Sequence, residues 1–234
     1  MKSFKEYFFD FLVTFLAVCI TFLLDLGHDQ LDDRSKEKDY MTSLISDLRT
    51  DTTYLDSFAV HKEEQIHYVD TLFNSFDSHT MAVKSSGDAY YYARMLVAKW
   101  AFFMRDGTLQ QLKSGGLRVV ENNIVVDSLL AYANLYTDYL ALQSLEDRQK
   151  DDYRMALTKV FKAYVFSDML DTGYDISPPE GNPALMSIRK EDLNELLSLA
   201  HFIRKNEHSE ADALLNLKRQ ATRLIILIHE KYQL

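Results

Sequence analysis

The stretch that decides the fold is residues 41–76, MTSLISDLRTDTTYLDSFAVHKEEQIHYVDTLFNSF. Apolar side chains recur along it at helical spacing. One seven-residue register contains Met41, Leu48, Leu55, Val69 and Phe76. Lys62 interrupts that register. The pattern predicts a long amphipathic helix and leaves coiled-coil character open. Because no proline and only Gly27 lie between residues 26 and 76, the helix can continue upstream without a forced break.

The composition extends this helical prediction to the whole chain. Only 7 of 234 residues are Gly and 3 are Pro, whereas average proteins contain about 7% and 5%. Tight turns depend on those two residues, which argues against sandwiches, barrels and propellers. A hydrophobic fraction of 47% also argues against a disordered chain. We therefore predict an all-α fold, with a single N-terminal transmembrane helix followed by a bundle of about five helices.

Charge and cysteine content restrict the classes of function. The formal net charge is −9, and no basic stripe offsets it, so nucleic-acid binding is not expected. The single cysteine, Cys19, lies inside the most apolar segment. No disulfide framework and no cysteine-based metal site can therefore form within one chain. We expect neither a metal nor a cofactor.

An uncharged apolar segment precedes the long helix. It consists of Phe11, Leu12, Val13, Thr14, Phe15, Leu16, Ala17, Val18, Cys19, Ile20, Thr21, Phe22, Leu23 and Leu24. Counted from Tyr7 to Leu26 it has 20 residues, or about 30 Å of helix, which matches the hydrocarbon core of a bilayer. A membrane anchor is the favoured interpretation. A cleaved signal peptide and a buried core helix are the alternatives, but the sequence at residues 25–27 fits a cleavage site poorly.

Basic residues on both sides of this segment give the expected orientation. Lys2 and Lys5 lie close upstream, whereas Arg34 is the first basic residue downstream. The positive-inside rule then favours a cytoplasmic N-terminus. We predict a single-pass protein of the bacterial inner membrane with an extracytoplasmic body, and a cytoplasmic body is the alternative.

The pattern after residue 76 predicts several further helices. An aromatic-rich helix is expected at 89–104, including three consecutive tyrosines, and a short helix from Thr108 to Leu112. A structural corner follows, formed by Ser114, Gly115, Gly116 and Arg118. There the glycines permit left-handed backbone angles, and Arg118 is expected to pair with a carboxylate or to cap carbonyl groups.

The C-terminal half is predicted to contain one long helix, a linker and two final helices. Asn122 and Asn123 are candidate caps for the long helix, and its polar run at 146–152 is either a bend or a solvated stretch. All three prolines lie in a linker at 171–184. The last helices are expected at 189–205 and 209–231. We divide the chain into 1–27 (tail and anchor), 28–76 (long helix) and 77–234 (remainder of the bundle).

Two segments resemble a family of uncharacterised bacterial single-pass membrane proteins. They are KDYMTSLISDL at 38–48 and TLQQLKSGGLRVV at 108–120. The second is similar to the family's central LxxLxSxGxLR-like segment and also precedes a tyrosine-rich helix. The chain departs from the family after the anchor, where it has LGHD at 26–29 in place of a basic flank rich in Asn and Trp. The resemblance implies an anchored helical shape and no known activity.

The remaining motifs do not point to catalysis. Glu64 and His67 have metal-ligand spacing, but a di-iron bundle needs a second copy, so a solvated helix face is favoured. Ser114–Gly116 lacks the other residues of a phosphate-binding loop. We therefore predict a non-enzymatic accessory or scaffold subunit that binds other membrane or envelope proteins. The alternative is a ligand-binding, sensor-like helical bundle that uses the aromatic cluster as its pocket.

The expected partners follow from the two N-terminal segments. The bilayer would contact the anchor. A protein partner or a second copy of the chain would contact the anchor and the long helix. Small side chains at Thr14, Ala17 and Thr21 are spaced as in membrane helices that approach one another closely. Such spacing is also common by chance in membrane helices.

Overall fold

A computed structural model describes residues 4–115, 117–173 and 175–234, without the side chains of 4–7, 9–10, 23–33 and 118. Its α-helices are α1 (Phe4–Asn74), α2 (Ser86–Met95), α3 (Gly107–Ser114), α4 (Asn123–Val160), α5 (Ala163–Asp168) and α6 (Lys190–Tyr232). A 3-10 helix covers Leu117–Val119. No strand occurs within the described ranges, so the predicted all-α class is confirmed.

Three long helices form the body. Ion pairs between α1 and α6 join Asp56 to Lys218 and Asp70 to Arg204, so the two helices are antiparallel. Helices α1 and α4 are parallel, because Asp51 hydrogen-bonds Tyr132 and, farther along both helices, Lys62 hydrogen-bonds Glu146. The N-terminal end of α1 therefore lies at the same end of the bundle as the start of α4. Helix α6 packs along both.

The seven-residue register predicted for α1 is confirmed by burial. Its five apolar members, Met41, Leu48, Leu55, Val69 and Phe76, are at most 2% exposed. Lys62 is buried as well, at the register position where the sequence pattern breaks. The register therefore marks the buried seam of α1.

The N-terminal part of α1 presents its apolar side chains outward. Residues 11–22 are exposed except Cys19, which is half-buried, and the side chains of Leu23 and Leu24 lie outside the description. In the described part of the chain, no helix is both long and apolar enough to cross a membrane. The anchor is therefore a proposal that is taken up below.

Helix α2 ends earlier than predicted. It spans ten residues, is capped by the Ser85 side chain, and stops at Met95 rather than near residue 104. Side chains of the long helices bond the following irregular segment: Tyr139 Oη accepts from Phe102 N–H (3.0 Å) and Asp51 from Arg105 N–H (3.0 Å). Because tertiary contacts satisfy these backbone groups, the segment does not need to remain helical.

The corner after α3 differs from its prediction in two details. Gly115 ends the helix in a right-handed conformation with φ −73°, and not in a left-handed one. Gly116 and the Arg118 side chain lie outside the described residues. Thr108 does not cap α3: Asp106 holds that position, and the Thr108 hydroxyl donates to Asp47 Oδ2 (2.5 Å).

One predicted interruption in the C-terminal half needs correction, and one open alternative is decided. Asn122 caps α4 as expected, and the helix continues through residues 146–152 without ending there. Four residues of that run are exposed, as a solvated stretch would be, whereas Glu146 and Lys150 are buried. The two final helices are a single α6. Ser209 does not start a new helix, because its hydroxyl donates to the Lys205 carbonyl inside α6 (3.2 Å). The proline-containing linker lies between α5 and α6, as predicted.

Candidate functional site: a buried charge layer and a distal pocket

Five charged side chains meet inside the three-helix body. They are Lys62 from α1, Glu146 and Lys150 from α4, and Glu207 and Glu210 from α6, and each is at most 3% exposed. We call this set the charge layer. One buried apolar cluster, here the proximal core, contains Met41, Leu55 and Ile228. A second, the distal core, contains Val69, Leu157 and Ile203. The charge layer lies between them along the helices.

Lys62 is the centre of the layer. Its Nζ lies 2.8 Å from Glu146 Oε2, 2.8 Å from Glu210 Oε2 and 3.1 Å from Glu207 Oε2. One ammonium group thus contacts a carboxylate from each of its two neighbouring helices. Since all of these groups are removed from water, each depends on its partners for solvation.

Lys150 completes the layer on the α2 side. Its Nζ contacts Glu146 Oε1 at 2.5 Å and Glu207 Oε1 at 3.1 Å. It also donates to the Ala98 carbonyl (2.5 Å) and to Gln65 Oε1 (3.3 Å). The irregular segment after α2 is therefore tied directly to the bundle interior.

The two glutamates of α6 differ in their hydrogen bonding. Asn206 Nδ2 donates to Glu210 Oε1 (2.8 Å) and to the Leu142 carbonyl (3.2 Å). Glu207 has a lysine nitrogen 3.1 Å from each oxygen, but neither contact is aligned as a hydrogen bond. Glu207 is thus stabilised mainly by charge.

The charge balance of the layer favours one retained proton. Three carboxylates and two ammonium groups leave an excess of one negative charge if all five ionise. Burial raises the pKa of Glu210 to about 8, against the opposing effect of Lys62. Burial also raises the pKa of Glu207, and the neighbouring Glu146 adds to that shift. One proton on the Glu207–Glu210 pair makes the layer neutral.

The other two shifts follow from the lysine contacts. Burial by itself would raise the pKa of Glu146, but Lys150 and Lys62 lower it to about 2. Burial would lower the pKa of Lys62, but Glu207, Glu146 and Glu210 hold it above its usual value. Glu146 and Lys62 therefore remain charged at neutral pH.

The arrangement suits the positioning of helices and the storage of a proton. Within the described residues, no group of three or more His, Cys, Asp or Glu side chains could hold a metal ion. The five side chains also lack solvent exposure. What the layer can do is align three helices, since any axial slip separates buried opposite charges.

A cavity of about 660 Å³ lies beside the distal core, at the end of the body that is farther from the N-terminal segment of α1. Its walls come from the last turns of α2 and α4, from α5 and from the loop before α6, and are mostly apolar. Three rings back it: Tyr90 lies 4.8 Å from Phe161 and 5.5 Å from Phe166 between centroids. Two arginines, Arg94 and Arg154, also line it. We call this cavity the distal pocket.

The structure separates most of the side chains that the sequence singled out. Glu64 pairs with His61 (3.2 Å) and not with His67, whose ring lies 6.3 Å from that of Tyr92. The Ser114 hydroxyl donates to the Gln111 carbonyl within α3 (3.0 Å). Of the three consecutive tyrosines, Tyr90 is buried and the next two are half-buried.

Sequence reasoning missed the charge layer. The sequence pattern marks Lys62 only as an interruption of the seven-residue register, and Glu146 only as the start of a polar run. One signal was available, because a charged residue at a core register position must be buried if the helix is continuous. The partners on α6 had no such signal, since Glu207 falls in the predicted break at 206–208 and Glu210 near the start of the predicted last helix.

Comparison with family models, with curated proteins and with solved structures finds no match to this chain. The resemblance to single-pass membrane proteins therefore remains a prediction.

Proposed function

We propose that this chain is a membrane-anchored, non-enzymatic accessory or scaffold subunit. The observation that carries the proposal is α1, a 71-residue helix. Residues 11–22 of this helix are exposed on nearly all sides, whereas its turns from Met41 onward form the buried seam of the body. A helix that is apolar all round is characteristic of a lipid environment. One rigid element would then join bilayer and body.

The described side chains of the proposed anchor are mostly apolar and exposed, which supports this proposal. Phe11, Phe15, Val18 and Phe22 are each more than half exposed. The Thr21 hydroxyl donates to the Ala17 carbonyl (2.9 Å), which satisfies its polar group without water. A continuous run of exposed and mostly apolar side chains, as at residues 11–22, indicates an interaction with lipid or protein.

The proposed location is the bacterial inner membrane, with the N-terminus inside and the body outside the cytoplasm. Lys2 and Lys5 close to the anchor support this orientation. A protein partner or a second copy would bind along the anchor and the adjoining part of α1. The rigid continuation of α1 would fix the height of such a partner above the bilayer.

Alkaline carbonate extraction of membranes tests the anchor. The full chain should stay in the pellet, and the double variant Leu16→Asp with Ile20→Asp should move to the supernatant, since each charge costs about 2.5–3.5 kcal/mol in a membrane helix. Thr53→Asp with Ser57→Asp is the matched control, because it adds the same charges at the same spacing to exposed positions of α1. Release of the unaltered chain by carbonate would refute the anchor.

Purification from native membranes in mild detergent tests the scaffold role. The chain should elute in an assembly larger than one copy, with a partner in constant ratio across preparations. The Leu16→Asp, Ile20→Asp variant should lose that assembly if the anchor contributes to it. Repeated recovery of the chain alone as a monomer would end the scaffold proposal while leaving the anchor intact.

A further inference from the structure

One of the two arginines that line the distal pocket, Arg94, has no ionic partner among the described residues. Arg154 is paired with Asp151 and donates to the Val97 carbonyl (3.2 Å). Arg94 is half-buried, and its guanidinium has no hydrogen bond or ion pair among the described residues. A charged group that is partly withdrawn from water favours an opposite charge beside it.

The remaining wall of the pocket is mostly apolar, with Thr158 and Ser167 as its polar members. Leu157 and Phe161 are almost fully buried and form its inner side, while Phe166, Leu170 and Met186 extend it to the surface. The Tyr90 hydroxyl accepts from Lys162 N–H (3.0 Å) and donates to the Ala184 carbonyl (3.3 Å). These bonds hold the Tyr90 ring against Phe161 and Phe166, two side chains of the pocket wall. The volume of the pocket is typical of small-molecule sites.

From this combination we propose that the distal pocket binds a monocarboxylic acid with an aliphatic tail. The carboxylate pairs with the Arg94 guanidinium, which can donate two parallel hydrogen bonds to the two carboxylate oxygens (a bidentate pair). The tail lies against Leu157, Phe161 and Phe166. The inference goes beyond the scaffold role and does not depend on it.

The position of the pocket favours a freely diffusing acid over a bilayer lipid. The pocket is level with the distal core, which includes Val69. About 68 Å of helical rise separates Val69 from Leu24, at 1.5 Å per residue. A lipid held in the bilayer by the anchor cannot reach that far.

The test is a calorimetric titration of the full chain in lipid nanodiscs, with empty nanodiscs as the blank. The probes are octanoate, octanol and octylammonium, which share a tail and differ in head-group charge. We expect octanoate to bind at least about tenfold more tightly than octanol, the usual gain from a hydrogen bond to a charged group. Octylammonium should bind more weakly than octanol.

Two variants locate the binding. Arg94→Gln should remove the preference for octanoate over octanol. Its matched control is Arg148→Gln, an exposed arginine of α4 that bonds to Ser144 away from the pocket, and this control should keep the preference. Ala163→Phe should weaken binding of both probes, because it places a ring in the pocket from an exposed position.

The proposal is overturned if octanoate binds no more tightly than octanol, or if Arg94→Gln and Arg148→Gln behave alike. It is also overturned if empty nanodiscs account for the heat. The fraction of chain inserted in nanodiscs is measured in the same samples. A chain that inserts but binds no octanoate removes only the pocket proposal, and a chain that does not insert removes only the anchor.

Discussion

Lys62 shows how one residue links the two apolar cores. It lies on the same register as Leu55 and Val69, and a leucine there would join the proximal and distal cores into one seam. The lysine instead draws a glutamate from α4 and two from α6 around a single nitrogen. Buried ion pairs are costly to form and add little net stability, but they penalise misalignment strongly. We interpret the layer as a device that sets helix register.

Replacing Lys62 with methionine tests this interpretation. Lys62→Met keeps most of the side-chain volume but leaves three buried carboxylates with one cation, so we expect a loss of about 3–5 kcal/mol in the free energy of unfolding. Urea unfolding of the full chain in detergent measures it. The control, Lys159→Met, removes an exposed pair with Glu195 and should cost less than about 1 kcal/mol. Equal losses in the two variants would contradict a special role for the layer.

The retained proton gives a second prediction at this scale. Glu210 has a folded-state pKa of about 8, against about 4.5 in the unfolded chain. The folded state then binds more protons between these values, so stability falls as pH rises from 4.5 through 8. The slope contributed by this group is at most about 1.4 kcal/mol per pH unit.

Glu210→Gln should flatten this slope, because the amide resembles the protonated acid and does not titrate. Unfolding free energies at pH 5, 6.5 and 8 measure the effect. The groups facing Glu210 are Lys62 from α1, Glu146 and Tyr139 from α4, and Glu207 from its own helix. Glu63→Gln, at an exposed site on α1, should keep the slope of the unaltered chain. An unchanged slope in Glu210→Gln would place the proton elsewhere.

At the scale of elements, α6 carries the largest correction to the sequence prediction. The break expected at residues 206–208 contains one member of the charge layer, Glu207, and ends just before the other, Glu210. Asn206 and Glu207 are buried, and His208 is exposed on the opposite side. A polar run inside a helix was therefore mistaken for a loop, because its polar residues face inward as well as outward.

Proline at position 208 distinguishes one helix from two. If α6 is continuous, His208→Pro removes a backbone hydrogen bond in mid-helix and should cost about 3 kcal/mol or more. His208→Ala, the control at the same exposed position, should change stability by less than about 0.5 kcal/mol. If a second helix began at Ser209, the proline would be tolerated. Urea unfolding of both variants decides between these outcomes.

Periodicity and capping residues account for what could be predicted among the elements. The α1 register and the Asn122 cap are local features, and both were correct. The end of α2 was missed because it depends on distant side chains: Tyr139 and Asp51 bond the backbone of residues 102 and 105. The distal pocket was equally out of reach, since its walls come from four separate segments.

At the scale of the whole molecule, α1 joins the apolar N-terminal segment to the body without an interruption. The proximal core lies nearest that segment, followed by the charge layer and then by the distal core with its pocket. The proposed membrane contact and the proposed ligand site thus lie at opposite ends of the protein. A rigid α1 would fix the distance between them.

The most direct test of the central claim uses the native Cys19, the single cysteine of the chain, near the middle of the 11–24 segment. A nitroxide attached there, with the full chain in lipid vesicles, reports its surroundings through collisions with oxygen and with a water-soluble nickel chelate. The anchor predicts frequent collisions with oxygen and few with nickel. A label at Asp212→Cys in a Cys19→Ser background, exposed on the body, should show the reverse. Frequent nickel collisions at Cys19 would contradict the membrane anchor.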